Sequence, residues 1–312
     1  MQENKLKSYL PHEYSRGSYD NSSFYKKMFV DDVATGIIPI RLNKNEDTIK
    51  ITIDADEKDL KLVASILNSF NAYSDTYDID ELVQYAIESI ARDISWYGDA
   101  IYEIYEVHNS DEKQIRFISL LPDKFFDFKF FYIQLPPKNK DKKLLPKFIA
   151  NKSLWKISIP KNLQNIYSYK RILSSIDKFD SLMPKAFKDN LYNGNNNYYN
   201  YDSKKYREKQ FLYVNDLTSE WGWSQRSMSD ELTTEFYKNY KYIKFNLSQA
   251  IFREHIINEL NSLFKRLNLK TFIKLEGLPT SKDYEQHIEK YISNDIGYDN
   301  VFDVAYGIST IN

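Results

Sequence analysis

The sequence predicts an α+β fold. Three observations carry this. Residues 57–70 and 79–97 place apolar side chains at helical spacing. The period changes to two directly after Gly98. Residues 228–267 then run for forty positions with neither proline nor glycine. The chain has 312 residues, 42% apolar and 16% aromatic, enough to bury a core and too apolar for disorder.

The elements follow in order. After a polar arm, "GIIPIRL" (36–42) and "TIKITID" (48–54) alternate apolar and polar residues, which predicts a strand pair closed by the turn "NKNED". "EKDLKLVASILNSF" (57–70) is a helix with Leu60, Val63, Ala64 and Leu67 on one face. "IDELVQYAIESIARDISWYG" (79–98) is a second, with Leu82, Tyr85, Ala86, Ile90, Ile94 and Tyr97 at helical spacing and Gly98 at the position of a left-handed C-terminal residue. "AIYEIYEV", the turn "HNSDEK" and "QIRFISLL" predict a hairpin ended by Pro122, with "FFDFKFFYIQL" as a third strand before Pro136 and Pro137. These first 137 residues form one α+β unit.

Residues 138–225 read as a basic region. They hold a strand ("LWKISIP"), a helix candidate ("LQNIYSYKRILSSIDKF"), a mobile loop near 193–209 ("NGNNNYYNYDSKKYREK") and a returning strand ("QFLYV"). A long helix follows over 226–270. Ser227 and Asp230 have capping-box spacing, and Leu247, Ala250, Ile257, Leu260, Phe264 and Leu267 share a face, with a break expected near Asn246. Forty helical residues would span about 60 Å, a length that calls for partner helices or neighbouring subunits. Residues 271–312 close the chain with a short strand, the capped helix "TSKDYEQHIEKYI" and a final turn and short helix in "NDIGYDNVFDVAYGIS".

Charge is unevenly spread. The net charge is −1, yet residues 72–112 hold eleven acids and one base, and residues 138–209 hold seventeen bases and six acids. Such blocks suit a charged partner or another copy of the chain. There is no cysteine, which excludes disulfides and thiolate metal sites. The first twenty residues carry no apolar run of a secretory signal, and no stretch approaches the roughly 20 apolar residues of a membrane span. The reading is of a soluble, intracellular protein.

Catalytic signals are missing. His12, His108, His255 and His287 stand apart, and His255 with Glu259 does not form H-E-x-x-H. No phosphate loop or nucleophile elbow occurs. Glu103 and Glu106 fall on opposite strand faces, and Asp54, Asp56, Asp78 and Asp80 read as solvated or capping carboxylates. The expectation is a non-enzyme with no catalytic residue, no cofactor and no metal. Lysines of 138–209 interleave with Tyr167, Tyr169, Tyr198, Tyr199, Tyr201 and Tyr206, a mixture that grips nucleic acid through phosphates and stacking or simply covers an exposed loop.

Two stretches resemble portal (head-tail connector) proteins of tailed bacteriophages. "ARDISWYGDAIYEIYEV" with "IRFISLLPDKFFDF" is similar to the wing, where a helix ends in an aromatic-glycine step and two strands run into a Leu-Pro turn. The C-terminal third resembles the family's closing pattern through Ile257, Asn258 and Leu260, the strand Phe272–Leu275, the capped helix from Thr280 to Ile292, and Ile296-Gly297. Together they cover roughly 130 residues in matching order.

The resemblance implies a compact portal. It implies a ring of identical subunits, commonly twelve, at a capsid vertex, assembled in the host cytoplasm. Double-stranded DNA would pass its channel. Terminase, major capsid protein and head-completion or tail adaptor proteins would dock on it, with no membrane involved. It places stem and clip in 138–225, sets the long helix beside the channel, and gives Trp96, Tyr97 and Gly98 the corner between helix and wing sheet. The candidate DNA- or partner-contacting residues are Lys142, Lys143, Lys170, Arg171, Lys204, Lys205 and Arg207. Two other readings stand beside it: a nucleic-acid-binding protein of replication or defence using the Lys/Tyr-rich segment, and an enzyme with dispersed catalytic residues.

Overall fold

A computed structural model describes residues 6–14, 23–38, 50–71, 78–109, 112–138, 143–177, 203–226 and 233–297. The fold is α+β. Helix α1 (Phe24–Thr35) starts at Ser23, whose hydroxyl accepts from the Lys26 amide. Strand β1 (Lys50–Ala55) leads into α2 (Glu57–Asn68) and α3 (Ile79–Tyr97). Then come β2 (Asp99–Asn109), β3 (Glu112–Leu120), β4 (Phe125–Asp127), β5 (Phe131–Gln134), β6 (Lys147–Ala150) and β7 (Leu154–Ser158). Helices α4 (Ile166–Asp177), α5 (Ser203–Leu217) and α6 (Glu235–Arg266) precede β8 (Thr271–Glu276) and α7 (Ser281–Ile292).

The strands form three antiparallel sheets, ordered β1-β8, β3-β2-β7 and β4-β5-β6. Tyr102 faces Ser119 on β3 and Trp155 on β7. The main core lies between the helices and the β3-β2-β7 sheet. It joins Phe29 and Val33 of α1, Ile66 of α2, Ile87, Ile90 and Ile94 of α3, Trp155, Trp221 and Trp223, and Phe252, Ile256 and Phe264 of α6.

Several expectations hold. Gly98 caps α3 in the left-handed region (φ 83°), its amide donating to the Ile94 carbonyl. The hairpin β2-β3 ends at Pro122, and Asp78 caps α3 through the Ile79 amide. Thr280 and Asp283 form a reciprocal box at the start of α7.

Others need correction. "TIKITID" pairs with β8, more than 200 residues on, rather than with "GIIPIRL". Residues 36–38 of that expected partner form the turn after α1, and 39–42 lie outside the described residues. Tyr85 of α3 is 39% exposed, outside the buried face of that helix. "QFLYV" is helical, within α5, because Phe211, Val214 and Leu217 recur at helical spacing and Val214 is fully buried. Residues 203–209 of the expected loop belong to the same helix; 193–202 lie outside the described residues. The division at 137/138 is crossed by strand pairing, since β6 joins β5 and β7 joins β2. The stem candidate α4 packs on α1 and buries Tyr169, Ile172, Leu173 and Ile176.

The long helix also differs. It starts at the Thr234 cap rather than at 226, and its 32 residues span about 48 Å without a break at Asn246. The Ser227–Asp230 box lies outside the described residues. Its partners are found within its own chain, where it packs against α3, α7, β7 and β8. Polar residues Asn239, Lys241, Gln249 and Arg253 are buried along with its apolar ones. Arg253 donates to the carbonyls of Ile37 (3.0 Å) and Pro279 (2.6 Å), which satisfies a guanidinium inside the fold.

The N-terminal arm is latched by side chains. Buried Glu103 accepts the amides of Lys7 (2.7 Å) and Ser8 (3.0 Å). Buried Gln134 accepts from the Tyr9 amide and donates to the Tyr9 carbonyl. One carboxylate and one carboxamide thus replace a strand partner for residues 7–9.

Candidate interaction surfaces

The helix-to-sheet corner is built from α3, β2 and α4. The left-handed Gly98 turns the chain. Ile159 donates its amide to the Gly98 carbonyl, fastening β7 to the corner (3.0 Å). The Tyr169 hydroxyl donates to the Ser95 carbonyl (2.8 Å), and burial raises that phenol well above its ordinary range. Asp93 accepts from the hydroxyls of Tyr102 (2.8 Å) and Ser119 (2.9 Å), so one carboxylate ties α3 to both strands of the hairpin. Burial raises the Asp93 carboxyl, and the two donors oppose that effect.

Trp96 is buried, but against α1 rather than within the main cluster. The Lys26 ammonium stands 4.5 Å from its ring centroid and 3.8 Å from Asp177. Burial lowers the Lys26 amine, and Asp177 works against that shift. Tyr97 is half-buried. The two aromatics line a cleft of 380 Å³ together with Phe24, Met28, Arg92 and Arg226. Arg226 pairs with Asp31 (2.8 Å) and with Asp32, and Asp32 also accepts from the Trp223 indole (2.7 Å). Gln225 and Arg226 both hold positive φ, 62° and 56°, a costly backbone that this ion pair anchors. The cleft lining combines apolar Phe24, Met28, Val30 and Trp96 with the charged Lys27, Asp31, Arg92, Asp93 and Arg226.

The expected basic contacts separate. Lys170 sits at the corner itself, 3.3 Å from Asp99, whose side chain is only 9% exposed. The structure therefore unites Gly98 and Lys170, assigned separately from sequence, in one structural joint. Lys143 and Arg171 are exposed. Lys204, Lys205 and Arg207 lie on the backbone of α5, and Lys142 falls outside the described residues. Asp31, Asp32 and Arg226 were missed. Nothing in their spacing announces an ion pair spanning nearly 200 residues.

Among the described residues, no group of three or more His, Asp or Glu side chains is placed to hold a metal. His255 contacts the Ser158 carbonyl at 2.9 Å through Nε2, a helix-to-strand contact. No helix among the described residues is long and apolar enough to cross a membrane. Set against known families and curated proteins, the chain matches no family model and no curated sequence.

Proposed function

We infer that this chain is the subunit of a compact phage portal, a non-enzymatic ring at a capsid vertex through which double-stranded DNA is packaged and released. One observation carries the reading. The two stretches that resemble portals, distant in sequence, lie against each other: α3 with its Gly98 corner packs on α6, whose end leads into β8 and capped α7. This packing of the two stretches against each other is what supports the reading. In this reading α6 flanks the channel, and terminase, capsid and adaptor proteins dock outside it.

The experiment is the mass of the purified chain in solution, with negative-stain images of any large species. Rings of about a dozen copies with a central hole are expected. A chain that stays monomeric at high concentration and binds DNA in low salt would refute the ring. It would favour the nucleic-acid reading, which α5 supports with its basic run "SKKYREK".

A further inference from the structure

Among the described residues, the β4-β5-β6 sheet leaves one apolar face uncovered. Tyr132, Gln134 and Ile149 point inward and are buried. The outward face carries Phe126, Ile133 and Phe148 in one cross-strand row. Phe128 stacks on Phe131 at 5.2 Å between centroids, and Phe131 meets Phe148 at 5.8 Å. Phe130, at the hairpin tip, is 72% exposed, and Phe148 is 70% exposed.

At about 200 Å² for a whole phenylalanine, the exposed parts of these five rings with Leu135 present roughly 600 Å² of apolar surface. That is the upper end of what a monomer ordinarily shows to water. A standard interface buries about 800 Å² per partner, a little over half of it apolar. The face therefore supplies the apolar share of one complete interface.

Charge selects the occupant. Lys129, Lys138, Lys143 and Lys152 are exposed on the turns and flanks of these strands. The acids there, Asp123 and Asp127, are each held by a lysine of the same chain, Lys124 (2.6 Å) and Lys156 (2.8 Å). Two such faces brought together would repel. The chain also carries an opposite surface. Exposed Glu81 and Tyr85 and half-buried Glu88 recur at i, i+4 and i+7 on the side of α3 away from the core that Val83, Ala86, Ile87 and Ile90 fill; Glu88 accepts from Gln84 (3.2 Å), and the stripe ends at Arg92, which pairs with Asp31 (3.4 Å).

We propose that the phenylalanine face of β4-β5-β6 docks on the acidic side of α3 in a second copy of this chain. Such a contact joins two different surfaces, head to tail, and a repeated head-to-tail contact generates a ring when its rotation closes. The ring size rests on the portal reading; the contact itself does not.

The test uses the full chain and sedimentation equilibrium. Wild type should associate. Phe130→Ser/Phe148→Ser, changes at exposed positions that leave the core intact, should raise the association midpoint at least about tenfold. Lys129→Glu/Lys152→Glu should weaken association, as should Glu81→Lys/Glu88→Lys, and a chain carrying all four changes should regain it. Loss of a dimer rather than a ring in these variants would keep the contact and sink the portal reading. Rings that form unchanged in the phenylalanine variant would sink the contact and keep the portal reading. A wild-type chain that stays monomeric, or that binds anionic lipid vesicles through Phe130 and Phe148 instead of itself, overturns the proposal.

Discussion

Lys241 is buried in α6, and its ammonium has no hydrogen-bond partner among the described residues. Burial, with a smaller contribution from nearby Lys244, lowers its pKa from 10.5 to about 8. Between those values the unfolded chain holds a proton that the folded chain has released. Stability must then rise with pH across that window, by about 1.4 kcal/mol per pH unit at its steepest. The whole interval corresponds to about 3 kcal/mol, the cost at neutral pH of holding the charge inside. Lys241→Met keeps the length and removes the charge. It should stabilise the fold at pH 7 by about that amount and flatten the rise above pH 8. Urea unfolding at pH 7 and pH 9.5 measures both. The upper limit matters, because Tyr14 and Tyr284, raised to about 12, withdraw stability as pH climbs beyond their ordinary value of 10. A variant no more stable than wild type at pH 7, with the same pH slope, would refute the reasoning.

Two further predictions concern backbone and latch. A Cβ on Gly222 would lie 2.5 Å from the Phe245 amide nitrogen and 2.7 Å from the Lys241 carbonyl oxygen, at φ +73°, so Gly222→Ala should cost about 3 kcal/mol through strain and displaced helix backbone. Gly98→Ala meets the flexible Lys170 chain at 3.2 Å and the Tyr169 ring at 3.3 Å, with no backbone atom among its nearest contacts, and should cost about 1–2 kcal/mol; urea midpoints in the reverse order would contradict both assignments. Glu103→Ala strips the acceptors from the Lys7 and Ser8 amides, about 1–3 kcal/mol for each amide left buried. Limited proteolysis should then clip the arm while the body survives, and an unchanged cleavage rate would show that the carboxylate does not hold it.

Local features were legible and distant ones were not. Gly98 could be read because two periods meet there, and Thr280–Asp283 because a capping box is written within four residues. The partner of β1 could not, since alternation marks a strand but not which strand it joins. The segment "EWGW" gave no signal, although Trp221 and Trp223 both stack edge-on against Phe29, at 5.5 and 5.1 Å, and Gly222 lets them press on α6. The long helix calls for neighbours by its length, and sequence spacing marks only one apolar face on it. Its other buried positions mix apolar Ile243, Phe252, Ile256 and Leu263 with polar Asn239, Gln249 and Arg253, and a single apolar stripe passes over both sets.

Charge blocks show the same limit, and they bear on function. In the acidic stretch, Asp93 braces the hairpin, Asp99 holds Lys170, and Glu103 latches the arm, so three of its carboxylates act inside the fold. In the basic stretch, Lys147 lies 3.9 Å from the centre of the Tyr9 ring and donates to the Ser8 carbonyl, while Lys156 holds Asp127. The surface asymmetry is therefore smaller than the sequence count. Among the described residues, two groupings on the surface are more specific: exposed Glu81 with half-buried Glu88 on one helix side, and lysines edging one phenylalanine face. A diffuse charge difference argues for any charged partner. Two compact, opposite surfaces on the same chain, one with apolar area enough for an interface, argue for the chain itself.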